Sequence, residues 1–366
     1  MSSPLVIVEE IEAKKGRIGR LILNQEKALN SLNLEMIRLL REQLDTWRED
    51  KTIACIILSG SGEKAFCAGG DVQALYESSL NPKDGVCEYA ETFFLEEYQL
   101  NYLIHTYEKP IICLGKGIVM GGGLGLMAGA SHRVVTETSR IAMPEITIGL
   151  FPDVGGTYFL SRMPRGLGIF FALTGASINA TDALTLGIAD HFVANEKLES
   201  LQSALAAASW KTKDNHALVS QIIYELGCEN SVDSNLSHHE SLLEGICQTG
   251  GLGDIVHDLN SIKDASPWLS KAIATMNAGS PQSMLVIFEQ LRRFRYASLK
   301  EVFSSELILA TNLVRHPEFA EGVRALLIDK DKKPVRQHAH FSAVSASEME
   351  ALYTPPWSSN PITDLL

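Results

Sequence analysis

Short runs of branched apolar residues, each bounded by turn formers, mark the first half of the chain. Leu5 to Glu10, Ile18 to Leu23 and Ile53 to Ser59 read as strands. Between the last two, Leu32, Met36, Leu39, Leu40 and Leu44 recur at helical spacing. This predicts a helix from Leu32 to Asp50 with a polar start at Asn30 and Ser31. Lys109 to Leu114 predicts another buried strand, and Arg133 to Thr136 and Arg140 to Ala142 two short ones. Strands alternating with helices predict an α/β core. From about Leu198 the pattern turns helical, in Leu198 to Trp210, His216 to Leu226 and Ser283 to Ala297, with a polar linker at Glu229 to Ser237. The expected division is a core over 1–200 and a mainly helical region over 201–366.

Composition narrows the function classes. Of 366 residues, 45% are hydrophobic and 21% charged, which suits a folded globular chain. A net charge of -12 disfavours non-specific nucleic-acid binding while leaving room for a local basic patch toward a phosphorylated ligand. No apolar run reaches the roughly 20 residues that span a bilayer, so no membrane partner is expected. The segment Met1 to Glu10 has neither secretory nor transit character. The expected location is the bacterial cytoplasm, or a mitochondrial matrix for a processed form. Six scattered cysteines without a Cys-x-x-Cys read as reduced thiols. Ten histidines lack metal-ligand spacing, so no metal site is expected.

The chemistry concentrates in two small-residue turns and two isolated acids. Met120-Gly121-Gly122-Gly123-Leu124-Gly125 follows an apolar run and opens a helix. Glycines there expose backbone N–H groups to an anion. Three readings suit them: close packing of helix on strand, part of a dinucleotide fingerprint, or an oxyanion hole. The fingerprint needs an acid at the end of a following strand, and Glu145 stands near that distance but directly after Pro144. Upstream, Ala65-Phe66-Cys67-Ala68-Gly69-Gly70-Asp71-Val72 is a second small-residue turn. Glu145, taken alone, could cap a helix or a turn. Asp153, after Pro152, could be a turn former. Glu97, beside Glu96 on a predicted helix, would by itself be a solvated face residue. No Gly-x-Ser-x-Gly elbow is present.

Together, Phe66 to Asp71, Gly117 to Gly123, Met143-Pro144-Glu145-Ile146 and Pro152 to Thr157 resemble the enoyl-CoA hydratase/isomerase (crotonase) superfamily. Phe319 to Asp331 resembles its hydrolase branch. The resemblance implies an α/β fold, a ClpP/crotonase-like spiral of ββα units followed by a helical C-terminal region. It implies an acyl-CoA substrate whose thioester oxygen is held by the N–H of Gly122 and an N–H of the Ala68, Gly69, Gly70 turn. Gly121 and Asp71 would also line the substrate site.

Hydratases of the superfamily carry one acid two residues after the glycine triplet and a second in the Pro-Glu motif. Here the first position is Gly125 and only Glu145 remains, while Asp153 is new. The hydrolase branch shares that arrangement and adds a glutamate at the position of Glu97. The implied activity is hydrolysis of 3-hydroxyisobutyryl-CoA, with 3-hydroxypropionyl-CoA beside it, in valine breakdown. Glu145 and Asp153 would be catalytic and Glu97 would bind the hydroxyacyl group. No cofactor is implied beyond the coenzyme A of the substrate. The rivals are a hydratase or isomerase on the same fold, a non-catalytic acyl-CoA-binding protein, and a nicotinamide-dependent dehydrogenase. The resemblance leaves room for a homo-oligomer.

Overall fold

Ile53–Gly60 is buried along its whole length, as a strand covered on both faces must be. It is the third strand, β3, of a computed structural model that describes residues 3–210, 214–227, 229–248 and 250–363. Cys228 lies outside the described residues. In chain order the first elements are β1 (Val6–Glu12), β2 (Arg17–Leu23), α1 (Leu34–Glu49), β3, β4 (Ala65–Cys67), α2 (Val72–Leu80) and α3 (Glu88–His105). Next come β5 (Ile111–Gly115), β6 (Ile118–Met120), α4 (Gly122–Gly129), β7 (His132–Val135) and β8 (Arg140–Ala142). A 3-10 turn at Glu145–Ile148 leads into α5 (Gly156–Leu160), α6 (Gly168–Thr174), α7 (Ala180–Thr185) and β9 (His191–Phe192). The remainder is helical: α8 (Leu198–Ala207), α9 (Asn215–Glu225), α10 (Glu240–Gln248), α11 (Leu252–Asn260) and α12 (Pro267–Ala278). It continues through α13 (Pro281–Arg293), α14 (Leu299–Val314), α15 (Pro317–Val323) and α16 (Ala346–Tyr353).

The strands form two sheets, in the orders β1-β2-β3-β5-β7-β9 and β4-β6-β8. β1 pairs antiparallel with β2, and every later pair of the larger sheet is parallel. Each repeat therefore gives its first strand (β3, β5, β7) to the large sheet and its second (β4, β6, β8) to the small one. This is the expected spiral of ββα units.

The chain groups into two units, and neither is continuous. The first comprises Met1–Gly70, Leu100–Ile141 and Ile178–Asn235. The second comprises Asp71–Gln99, Ala142–Ser177 and Leu236–Leu366. The boundary expected near residue 200 thus falls inside the first unit. The reason is apolar burial. Leu198, Leu201 and Leu205 of α8 and Val219, Ile222 and Ile223 of α9 join one buried cluster with Ile18, Cys55, Ile57, Ile112 and Val134 of the sheet. The linker expected at Glu229 to Ser237 has no regular element and binds back to α7: Ser234 Oγ donates to Asp182 Oδ1 at 2.6 Å.

In the first unit, α1 begins at an Asn33 cap rather than at Asn30 or Ser31, with the Asn33 side chain accepting from Met36 N–H at 2.9 Å. Its buried stripe is Met36, Ile37, Leu40, Leu44 and Trp47, whereas Leu39 faces outward. Trp47 lies over Gly19, where any Cβ would come within 2.5 Å of the indole. In the second unit, α13 begins at Pro281, two residues before the expected start, because Ser280 caps it and proline suits the first helical position.

Candidate active site

The first unit holds two backbone turns. β4 and β6 run parallel, so the turns that follow them emerge at the same edge of the small sheet. Gly69 has φ +106, and a Cβ there would lie 3.2 Å from the Met120 carbonyl and 3.7 Å from the Gly122 nitrogen. The two turns are therefore in contact, and glycine meets both the backbone angle and the space. Gly121 precedes α4 with φ +49, and Gly122 and Gly123 are the first residues of that buried helix. At Gly123 a Cβ would sit 2.3 Å from the Cys67 carbonyl oxygen, so close packing and the exposed N–H groups are both reasons for glycine here.

The Ala68–Gly70 turn is held by the segment before α1. Ala68 N–H donates to the Leu29 carbonyl at 3.0 Å, and Leu32 N–H donates to the Gly69 carbonyl at 2.8 Å. Ala68 therefore already has an acceptor for its N–H. The donors left in this turn are those of Gly69 and Gly70. Asp71 caps α2, its carboxylate accepting from Ala74 N–H at 3.2 Å.

The second unit brings together three acids that are distant in sequence. Glu97, Glu145 and Asp153 are 2%, 7% and 6% exposed. The solvated-face reading of Glu97 thus gives way to burial. Glu145 opens the 3-10 turn after Pro144, and its carbonyl accepts from Gly149 and Leu150. Asp153 lies in the turn before α5, where Tyr98 Oη donates to its Oδ2 at 2.6 Å. One carboxyl oxygen on Glu97 and one on Glu145 are buried without a hydrogen-bond partner. Such atoms are rare in folded proteins and suit groups whose partner is a substrate.

Burial dominates the electrostatics. It pushes Glu145 well above the ordinary carboxylate range, and the Asp153 charge adds to this. It raises Glu97 likewise, with Asp153 and then Glu145 contributing. Asp153 is pushed up only to about 6, because the Tyr98 hydrogen bond favours its ionised form. Like charges this close titrate as a group.

Two contributors were missed from sequence. Tyr98 directly follows Glu97 on α3. Glu306 lies on α14 and accepts from the N–H groups of Gly155 at 2.7 Å and Thr157 at 2.9 Å. A charged residue among Val302, Phe303, Leu307, Leu309 and Ala310 on the buried face of a helix was the available hint. Among the described residues, no group of three or more His, Cys, Asp or Glu could hold a metal ion.

An enoyl-CoA hydratase/isomerase family model matches residues 18–353. The chain belongs to that family. Its fold is accordingly crotonase-like. Among curated relatives of this family member, the mitochondrial 3-hydroxyisobutyryl-CoA hydrolase of Danio rerio is 39% identical over 94% of this chain and 89% of its own length. The human enzyme of the same name is 37% identical over 93% and 87%. Among solved structures, a carnitinyl-CoA dehydratase from Mycobacterium thermoresistibile superposes with TM-score 0.85 at 32% identity, covering 98% of this chain and 99% of that one. An enoyl-CoA hydratase from Rhodobacter sphaeroides 2.4.1 gives 0.84 at 30% identity, covering 96% and 98%. Within the family, the position two residues after the glycine triplet is here Gly125, buried in the first turn of α4 and without an acid.

Proposed function

We propose that this protein hydrolyses 3-hydroxyisobutyryl-CoA to 3-hydroxyisobutyrate and coenzyme A, a step of valine breakdown, and accepts 3-hydroxypropionyl-CoA as a second substrate. The observation that carries the proposal is likeness over about nine-tenths of the chain to hydrolases of that name. The buried trio Glu97, Glu145 and Asp153 supports it chemically.

The thioester oxygen accepts from Gly122 N–H and from the N–H of Gly69 or Gly70, which stabilise the negative charge formed at the tetrahedral stage. Ionised Glu145 takes a proton from water as the water oxygen bonds to the thioester carbon. The C–S bond then breaks, and the proton on Glu145 passes to the departing sulfur. In the other route, from the same ionised state, a Glu145 carboxylate oxygen bonds to the thioester carbon, the C–S bond breaks to release the thiolate, and water then hydrolyses the mixed anhydride to the hydroxy acid and free Glu145. A single turnover in 18O-water tests the second route: label in the Glu145 carboxylate marks direct attack with water entering at the glutamyl carbonyl, while label confined to the product fits either route. Asp153 orients the substrate hydroxyl or assists proton transfer, and Glu97 binds the hydroxyacyl group. No metal or redox group enters these steps. Of the two locations expected, the mitochondrial one is carried in the relatives' names.

The names of the two solved structures favour a second reading, water addition to or loss from an acyl-CoA. Gly125 stands against it, because one of the two acids that hold the water in hydratases is missing. Thiol release from 3-hydroxyisobutyryl-CoA, run beside loss of enoyl absorbance from crotonyl-CoA, separates the two. Rapid thiol release with unchanged enoyl absorbance is expected. The reverse outcome would make the protein a hydratase.

A further inference from the structure

One face of α14 reaches both the side chain and the backbone around Asp153. Phe303 packs against the Tyr98 ring with centroids 5.7 Å apart. Three residues on, Glu306 is fully buried and gives one carboxyl oxygen to Gly155 N–H and the other to Thr157 N–H. The turn so held is strained: Val154 has φ +52, a left-handed angle that β-branched residues rarely adopt, and Gly155 has φ +83. Left without those acceptors, it would be free to relax and carry Asp153 with it.

We propose, on the hydrolase reading above, that Glu306 and Tyr98 are positioning residues of the active site. Glu306 fixes the backbone of the 153–157 turn, and Tyr98 fixes the Asp153 carboxylate through its hydroxyl. Asp153 needs this restraint because the acids that share its surroundings come from three elements: Glu97 on α3, Glu145 on the 3-10 turn and Glu306 on α14. Wherever these acids are ionised, repulsion among them favours rotation of Asp153 away. Tyr98 supplies a neutral donor, which stabilises the ionised carboxylate without adding a charge. Burial pushes Glu306 up to about 8, with the Gly155 N–H opposing it.

The test is a kinetic cycle, with thiol release from 3-hydroxyisobutyryl-CoA followed against pH. The enzymes are wild type, Tyr98→Phe, Glu306→Gln, Asp153→Asn and the two doubles carrying Asp153→Asn. Tyr98→Phe should lower kcat about tenfold or more, with KM within about threefold, and move the acid limb of kcat/KM to higher pH. Glu306→Gln offers one acceptor where the carboxylate offers two, and should lower kcat about fivefold or more. On the Asp153→Asn background each should cost less than about twofold, because both act through Asp153.

Losses repeated in full on that background would overturn the proposal, as would single variants that keep kcat within about twofold of wild type. Should Glu306→Gln fail to fold, Tyr98→Phe and its double decide alone. A wild-type protein that releases no thiol would instead refute the hydrolase function, and the positioning roles with it.

Discussion

Glu145 is buried, and that burial, with the Asp153 charge added, holds its carboxyl well above the ordinary carboxylate range. In the proposed role, a raised pKa makes it a stronger base once ionised, and low pH would hold it in the acid form that cannot accept a proton. Activity should therefore rise with pH through the titration of the Glu145, Asp153 and Glu97 group, and a kcat/KM profile checks this. Flat activity from pH 5 to pH 8 would contradict it. Glu145→Gln keeps the volume and removes the charge. A loss of about 100-fold or more in kcat is expected, with KM little changed. Gly123→Ala acts differently. Its methyl would meet the Cys67 carbonyl 2.3 Å away, so α4 must shift off β4. Destabilisation of about 1–3 kcal/mol, read by urea unfolding, should accompany any loss of activity.

At the scale of elements, the turn that carries Glu145 depends on α15, part of the stretch that resembles the hydrolase branch. Gly149 and Gly322 are glycines because added Cβ atoms would come within 2.6 Å of the Glu318 carbonyl and 2.7 Å of Ile148. Arg336 ties the contact together, donating to Glu318 Oε2 at 3.2 Å and to the Thr147 carbonyl at 2.9 Å. Glu318 is 2% exposed and also accepts from Gln337 N–H at 2.6 Å. Arg336→Met would leave that carboxylate buried without its counter-charge. It should destabilise the protein by about 3–5 kcal/mol and lower kcat through movement of the Glu145 turn. Denaturant unfolding compared with Glu318→Gln/Arg336→Met separates the two effects, since the double variant should recover part of the stability.

For the molecule as a whole, acid should weaken the fold through His132 in the first unit. His132 is 3% exposed, with its ring between those of His191 and His216 at 5.8 and 5.7 Å. Its Nε2–H donates to the His216 carbonyl at 3.1 Å, so a second proton would have to enter at Nδ1, beside the Ser131 hydroxyl. Burial pushes its pKa down to about 4. The unfolded chain takes up that proton near pH 6.5 while the folded one does not. The stability contributed by neutral His132 is therefore complete above pH 6.5 and is lost as pH falls toward 4. About 2 kcal/mol should disappear between pH 7 and pH 5. His132→Gln should flatten that dependence in urea titrations, and an unchanged slope would point to other groups.

The ββα spiral and the joint role of Glu145 and Asp153 were implied by the family resemblance; the sequence by itself determined the strands at Ile18 to Leu23 and Ile53 to Ser59, the two small-residue turns and the absence of an acid at Gly125. These are local patterns, set by turn chemistry and by apolar spacing within a few residues. The tertiary structure alone decided that α8 and α9 belong with the sheet, because their apolar faces have nowhere else to be buried. It alone gave the Ala68 N–H an acceptor, since Leu29 comes within reach only when β4 is in place. It also turned Glu97 inward and set Glu306 against a turn 151 residues earlier in the chain. Burial and hydrogen-bond partners are properties of position in space, and residues so far apart in sequence share no local pattern that encodes their meeting.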